Sequence, residues 1–206
     1  MRRGMIEHVL PDLLRERTAS LHAQAERTSF VRDMIAGRVT PARYAPFARS
    51  LLEVYEALER GLKQHKPELA PPELLRAPAL ARDLVQLTTE PVKLLSAGER
   101  YAKRIDEVTE RAPARLVAHA YTRYLGDLAG GTLLGRSLSR SLAAEQLSFY
   151  RFPEIRDLRA YALGYRAALD LAAQALPPEA HRGIAEEAED AFRLNIALLD
   201  AVNAHS

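Results

Sequence analysis

Apolar side chains recur along this chain with the three- and four-residue spacing of amphipathic helices. The clearest stretch follows Thr40 and Pro41, a pairing typical of a helix N-cap and the first helical position. One face of that stretch carries Phe47, Leu51, Leu52, Tyr55, Leu58 and Leu62. The pattern therefore predicts a long helix that begins at Pro41 and ends near His65.

Prolines and loop residues divide the rest of the chain into further elements. They predict a first helix from Pro11 to about Arg27, shorter helices at about 79–88 and 91–110, a long kinked helix from Pro113, loops at 67–78 and 148–153, and a break at Pro177 and Pro178 before the last helix. Few β-branched or aromatic runs are present, which favours an all-α fold. The chain length predicts a single domain over residues 1–206, with its core at about 10–204.

The long helix after Pro113 contains an unusual cluster of glycines. Its apolar face is formed by Leu116, Val117, Ala120, Tyr121, Tyr124, Leu125 and Leu128, and resumes at Leu134, Leu138 and Leu142. Gly126, Gly130 and Gly131 lie between these stretches, and each costs about 1 kcal/mol relative to alanine in a helix. We expect them to interrupt the helix and to let a flat ligand lie against bare backbone, with Asp127 facing the same space. Alternatively, the small-residue spacings Gly126-x-x-x-Gly130 and Gly131-x-x-x-Gly135 let a second helix pack closely.

Composition limits the chemistry that such a site can use. The chain has no cysteine, which excludes disulfides and thiolate ligands, so a metal ion would be held by nitrogen or oxygen. Its 29 basic and 27 acidic residues give a net charge of +2, and no Lys/Arg block or aromatic stripe indicates nucleic-acid binding. No apolar run approaches the ~18 residues of a membrane span, and the N-terminus lacks a signal-peptide core. We therefore expect a cytoplasmic protein without membrane contact.

Three stretches of the sequence together resemble the heme oxygenase family. Residues 117–131, VAHAYTRYLGDLAGG, resemble its distal-helix signature, residues 13–26, LLRERTASLHAQAE, its proximal helix, and residues 187–195, EAEDAFRLN, its C-terminal helix. The resemblance covers about residues 10–200 and implies a soluble, bacterial-type enzyme. Such an enzyme holds heme b, both substrate and cofactor, between the proximal helix and the kinked, glycine-rich distal helix. It converts heme with O2 and external electrons to biliverdin, CO and Fe²⁺.

The resemblance implies a role for each motif residue on the two sides of the heme. It makes His22 the axial ligand of the iron and Glu26 the residue that orients the His22 ring. On a helix these two residues share one face with Arg15 and Ala19. On the opposite side, Asp127 would act through an ordered water. The residues implied to hold the hydrogen-bonded network around that water are Tyr55, Arg123 and Asn195.

The same resemblance implies further heme contacts. Gly126 and Gly130 would leave space for O2 on the distal side, and Phe192 of the C-terminal motif would contact the heme. Arg15 and Arg166 match positions that bind the heme propionates, and Tyr121 matches a tyrosine at the heme edge. Two departures make the seating of heme less secure, since Arg15 replaces a common lysine and Ala162 stands where many relatives have another. We assign His119 to packing.

Two other functions compete with this interpretation. A di-metal helical enzyme would use Glu-x-x-His pairs, and none of the six histidines has a glutamate three residues before it. A heme carrier or sensor would share His22 and the basic mouth but would not need Asp127 beside the glycines.

The electrons that an oxygenase needs must come from another protein. The sequence has no Gly-x-Gly-x-x-Gly dinucleotide fingerprint after a strand. We therefore expect an external donor, either a ferredoxin, a flavodoxin or a flavin reductase. The basic balance of the chain favours an acidic donor. The oligomeric state that we expect is a monomer.

Overall fold

The computed structural model describes residues 9–142 and 147–203. These ranges contain helices and no strand, which confirms the all-α prediction. The helices are α1 Val9–Glu26, α2 Ser29–Ile35, α3 Pro41–His65, α4 Ala77–Leu87, α5 Ser96–Arg111, α6 Leu116–Ala120, α7 Gly126–Ser141, α8 Leu158–Gln174 and α9 Pro178–Asn203. Short 3-10 turns lie at Pro67–Leu69, Pro72–Leu74, Pro113–Arg115 and Ser148–Tyr150.

One hydrophobic core runs through the described chain from Leu10 to Val202. The long helix α3 lies in its middle, with one face fully buried, and packs against α4, α5 and α9. Helix α9 also packs along α1. The prediction of one domain over 1–206 includes residues 1–8, 143–146 and 204–206, which lie outside the described ranges. Within the described residues, no helix is long and apolar enough to cross a membrane.

The structure corrects the predicted helix boundaries at three places. Helix α1 begins at Val9 rather than Pro11, since proline is tolerated in a first turn. The helix predicted at 91–110 begins at Ser96, because Leu95 is extended and its N–H donates to Ser50 Oγ at 3.1 Å. The connector at 67–78 contains two 3-10 turns and the start of α4.

Helix α2 was not predicted from the sequence. This helix has only seven residues, too few for a clear period. Thr28 caps it through Oγ1, which accepts from the Val31 N–H at 3.4 Å. The helix is held mainly by tertiary contacts, through the buried side chains of Phe30 and Met34.

The glycine-rich helix departs from α geometry one turn earlier than expected. A π-helical turn at Tyr121–Leu125 joins α6 to α7, and α7 is then α-helical through Gly126, Gly130 and Gly131. The prediction that the glycines interrupt the helix was therefore wrong, because they keep ordinary helical backbone angles. π-turns inside helices are a recognised source of bends and are frequent at functional sites.

Candidate active site

A cavity of about 680 Å³ lies between α1 and the distal helix, the continuous element formed by α6, the π-turn and α7. Helices α2, α3, α8 and α9 and the 148–150 turn complete its wall. Its volume is in the range of cofactor sites. The wall brings together the predicted residues Arg15, His22, Glu26, Tyr121, Arg123, Gly126, Asp127, Gly130, Arg166, Phe192 and Asn195.

His22 lies on the α1 side of this cavity with its side chain 57% exposed. Arg15, Ala19 and Glu26 line the same side, which confirms that these residues share a helix face. The His22 Nδ1 atom is 3.6 Å from Glu26 Oε1, close enough for an ion pair but too long for a hydrogen bond. The Phe192 ring lies 5.9 Å from the imidazole and supports it from α9.

Two glycines of α7 open the opposite wall. A Cβ atom at Gly126 or Gly130 would meet no other residue within 4 Å, so both positions face the cavity. Gly135 differs, because its Cβ would approach Tyr150 Cβ to 2.7 Å. The two interpretations of the glycines therefore apply to different faces of α7: one face leaves space for a ligand, and the other allows close packing.

A connected polar network lies beside these glycines. The Tyr55 hydroxyl donates to Asp127 Oδ2, and Arg123 Nε donates to the Tyr55 oxygen at 3.1 Å. Arg123 Nη1 donates to Asn195 Oδ1 at 2.7 Å, and Arg123 Nη2 lies 3.8 Å from Asp127 Oδ1. Tyr55 is fully buried behind the cavity wall and reaches the site through its hydroxyl. The four residues predicted around the distal water thus form one group.

The mouth of the cavity carries positive charge. Arg15 and Arg166 line it together with Tyr121. The Arg15 side chain is 70% exposed and lies 3.7 Å from Asp12, a contact too long to hold it in place. Arg15 is therefore available for an anionic ligand, and Arg166 lies in the same cavity wall.

A comparison with known proteins identifies the family. The heme oxygenase family model matches residues 9–201. Human heme oxygenase 1 is 36% identical over 205 residues, covering 93% of this chain and 70% of that protein. The rat heme oxygenase 1 is 34% identical over 99% of this chain and 76% of its own length.

The chain belongs to the heme oxygenase family. Solved structures agree, since heme oxygenase-1 of the cyanobacterium Synechocystis, in complex with heme, has a TM-score of 0.88 at 32% identity, covering 95% of this chain and 93% of that one. Heme oxygenase from Leptospira interrogans has a TM-score of 0.84 at 32% identity, covering 93% and 98%.

Burial and the neighbouring charged groups together shift the pKa values of the polar network in this heme oxygenase. Burial raises the pKa of Asp127, while the positive charge of Arg123 and the hydrogen bond from Tyr55 oppose that rise. Burial also raises the pKa of Tyr55 well above its usual range, so Tyr55 stays a donor. Burial alone would lower the pKa of Arg123, but Tyr55 and Asp127 outweigh it and keep the guanidinium charged.

Several wall residues of this heme oxygenase were not predicted from the sequence. Phe149 and Tyr150 lie in the segment predicted as a plain loop, and both line the cavity. The Tyr44 hydroxyl donates to the Tyr150 oxygen at 3.3 Å behind that wall. Adjacent aromatic residues inside a loop were the available signal, because exposed loops rarely carry two. His119, assigned to packing, is fully buried and lies 3.1 Å from Glu187 through Nε2.

Proposed function

We propose that this heme oxygenase binds heme b in the cavity and cleaves it to biliverdin, CO and Fe²⁺ with O2 and electrons from an external donor. The observation that carries the proposal is the Asp127–Tyr55–Arg123–Asn195 network beside a glycine-opened wall, on the side of the cavity away from His22. The heme-bound Synechocystis structure, which shares this fold, supports the ligand.

The cavity residues fit a flat, dianionic tetrapyrrole. His22 is exposed to the cavity and can bind iron through its imidazole, while Phe192 and the apolar walls would contact the macrocycle. Glu26, at 3.6 Å from the ring, can orient the imidazole after a small rotation. Arg15 and Arg166 at the mouth would bind the two propionates by charge-assisted hydrogen bonds. Tyr121 would lie at the heme edge.

Bound heme would supply the iron that activates O2 and the macrocycle that is oxidised. The protein's contribution on the distal side is to hold a water and its proton. Asp127 Oδ2 is occupied by Tyr55, whereas Oδ1 has no hydrogen bond within the described residues. Oδ1 can therefore accept from a water in the cavity. Gly126 and Gly130 leave the room for O2 and that water.

The electron donor is a separate protein in this proposal. A ferredoxin, a flavodoxin or a flavin reductase with an acidic surface would suit the net charge of +2 and the exposed Arg15 near the mouth. We propose that the protein binds its donor as a monomer. Titration of each donor class against the heme-loaded protein, with the rate of biliverdin formation as readout, identifies the one that sustains turnover.

A single-turnover experiment tests the reaction. The purified protein is loaded with heme, reduced without oxygen by an excess of chemical reductant sufficient for every electron that the cleavage consumes, and then exposed to air. We expect the Soret band to disappear and biliverdin and CO to form, whereas a sample kept without oxygen retains its heme. A Soret band that survives air would show a heme carrier instead.

Chromatography of the product should give mainly the α isomer; chiefly β or δ biliverdin would overturn that choice of meso carbon.

A further inference from the structure

Arg76, just before α4, is a buried cation that none of the proposed heme contacts involves. It is 5% exposed, and its guanidinium lies 4.1 Å over the Phe152 ring. Within the described residues, its side chain donates hydrogen bonds only to backbone carbonyls: Leu74 O (3.1 Å), Glu73 O (3.1 Å), Phe149 O (3.2 Å) and Arg151 O (2.8 Å). A fully charged side chain is thus used to fix two stretches of loop backbone.

A separate group holds the backbone of Arg76. Glu59 Oε1 accepts from the Arg76 N–H at 2.5 Å and from the Ala77 N–H at 3.1 Å. The guanidinium makes no hydrogen bond to this carboxylate in the described residues. The position of the backbone at residue 76 and the position of the guanidinium can therefore be disturbed independently.

The guanidinium acts on residues 148–151, here called the wall segment. Asp83 holds its start, because Oδ1 accepts from the Ser148 N–H at 2.7 Å and Oδ2 from the Phe149 N–H at 2.8 Å. Arg76 Nη1 donates to two of its carbonyls, Phe149 O and Arg151 O. With both ends bound to α4 and its N-terminal flank, the wall segment has little freedom to shift.

The wall segment in turn touches the distal network. The Phe149 ring packs edge-to-face on the Tyr55 ring, with centroids 5.6 Å apart and an interplanar angle of 67°. Tyr55 is fully buried, and its hydroxyl donates to Asp127. A shift of Phe149 would therefore be transmitted to the Tyr55 ring and so to the hydroxyl at its end.

We propose that Arg76 is a positioning residue for the distal site: by fixing the wall segment it holds Phe149 against Tyr55, and so keeps the Tyr55 hydroxyl on Asp127. The charge of Arg76 favours the same arrangement. It lies near enough to Asp127 to oppose, after Arg123 and Tyr55, the effect of burial on the pKa of that carboxyl. The effect of Arg76 on catalysis rests on the proposed function of Asp127, whereas its effect on the position of the Tyr55 hydroxyl does not.

The Tyr55 hydroxyl proton can be observed directly in heme-free protein. A hydroxyl bound to a carboxylate resonates far downfield in proton NMR, and its absence in Tyr55→Phe assigns it. We expect this signal to move upfield or disappear in Arg76→Lys, since one ammonium cannot reach carbonyls on both loops as the planar guanidinium does. Glu59→Gln is the matched control: it leaves the guanidinium in place, and the signal should remain.

Turnover supplies the second readout. In Arg76→Lys we expect kcat for biliverdin formation at saturating heme to fall by about 10- to 100-fold, with heme affinity little changed, as for a misplaced catalytic group.

Phe149→Leu, which keeps the Arg76 contacts but removes the ring, should also displace the Tyr55 signal. It tests the link if Arg76→Lys does not fold. A Tyr55 signal that stays in place in Arg76→Lys or in Phe149→Leu would overturn the proposal. Because NMR is done without heme, this failure is distinct from loss of the oxygenase reaction.

Discussion

Asp127 is the residue whose substitution best separates heme binding from heme cleavage. Its Oδ2 is held by Tyr55, and the neighbouring Gly126 leaves open space. We predict that Asp127→Ala folds and binds heme nearly normally but forms no biliverdin, because no carboxylate is left to hold the distal water. Absorption spectroscopy of a single turnover measures both properties. Asp127→Asn, which can hold a water but carries no charge, should retain partial activity. Biliverdin formation by Asp127→Ala at the parent rate would remove Asp127 from the mechanism.

His22 gives the complementary prediction on the proximal side. His22→Ala should bind heme more weakly through the apolar wall and Arg166, with a changed ferric spectrum and little turnover. Added imidazole should restore part of both, because it can occupy the space of the lost side chain. His65→Ala, on the exposed end of α3, serves as control. An unaltered spectrum in His22→Ala would contradict the assignment. His119 could not be the iron ligand in its place, since the His119 side chain is fully buried against Glu187.

At the scale of elements, α7 carries two kinds of glycine. Gly126 and Gly130 face the cavity, whereas Gly135 lies against Tyr150. The glycines facing the cavity cost helix stability, and no close neighbour requires a glycine there, so what they provide is open space.

The α7 glycines therefore predict opposite effects on stability and binding. Gly126→Ala should raise the stability of the heme-free protein by about 0.5 to 1 kcal/mol, through helix propensity. It should weaken heme binding by about 1 to 3 kcal/mol, because the new methyl projects into the cavity. Urea unfolding measures the stability of the heme-free variant, and heme titration measures its affinity for heme.

Gly164→Ala in α8 is the matched control for this prediction. A Cβ there would also meet nothing within 4 Å, but Gly164 is absent from the cavity wall. It should show the gain in stability without the loss of affinity. Equal heme affinities of the two variants would show that Gly126 does not face the ligand.

At the scale of the whole molecule, Glu187 joins three helices. From α9 it accepts from Arg104 of α5 at 3.0 and 2.6 Å and lies 3.1 Å from His119 of α6, and its side chain is fully buried. Burial alone would raise the pKa of Glu187, but the hydrogen bonds with His119 and Arg104 outweigh it and hold the pKa at about 2. This cluster fixes α6 to α9 at His119. One helical turn later, Arg123 donates a hydrogen bond to Asn195 of α9.

This low pKa predicts how stability depends on pH. A carboxyl with a depressed pKa stabilises the folded state above its unfolded value, near 4.5, and this contribution is lost as pH falls toward about 2. From the difference between these values, Glu187→Gln should lower the free energy of unfolding at neutral pH by roughly 3 kcal/mol. The difference in the free energy of unfolding between Glu187→Gln and the parent protein should then disappear as the pH falls from 4.5 to 2.

The neighbouring Glu186 supplies the control for that measurement. Its side chain is 52% exposed and lies 3.9 Å from Arg115, so Glu186→Gln should change stability by less than about 1 kcal/mol. Chemical denaturation at a series of pH values measures both variants. A gap between Glu187→Gln and the parent that does not depend on pH would show that the carboxylate charge is not the source of the stability.

The sequence by itself determined what depends on neighbours in the chain. Helix α3 begins at Pro41 and ends at His65, as the proline and the apolar period predict, because both signals are local; Thr40 occupies the N-cap position, but its side chain makes no capping hydrogen bond. His22 and Glu26 share a face because residues four apart on a helix must do so. The resemblance to the heme oxygenases also named eleven of the residues that line the cavity in the described part of the chain, including those of the polar network and of the His22 face.

Tertiary structure decided what depends on how the helices cross. The contacts of Tyr55 with Asp127 and of Arg123 with Asn195 each join residues 72 apart, so no local pattern encodes their geometry. The seven-residue α2 is held mainly by what it packs against, and the wall segment is placed by Arg76 and Asp83. The irregular turn of the distal helix lies at Tyr121–Leu125, while the glycines that follow it are α-helical. Side-chain packing across distant segments, rather than local propensity, thus set the final shape of the site.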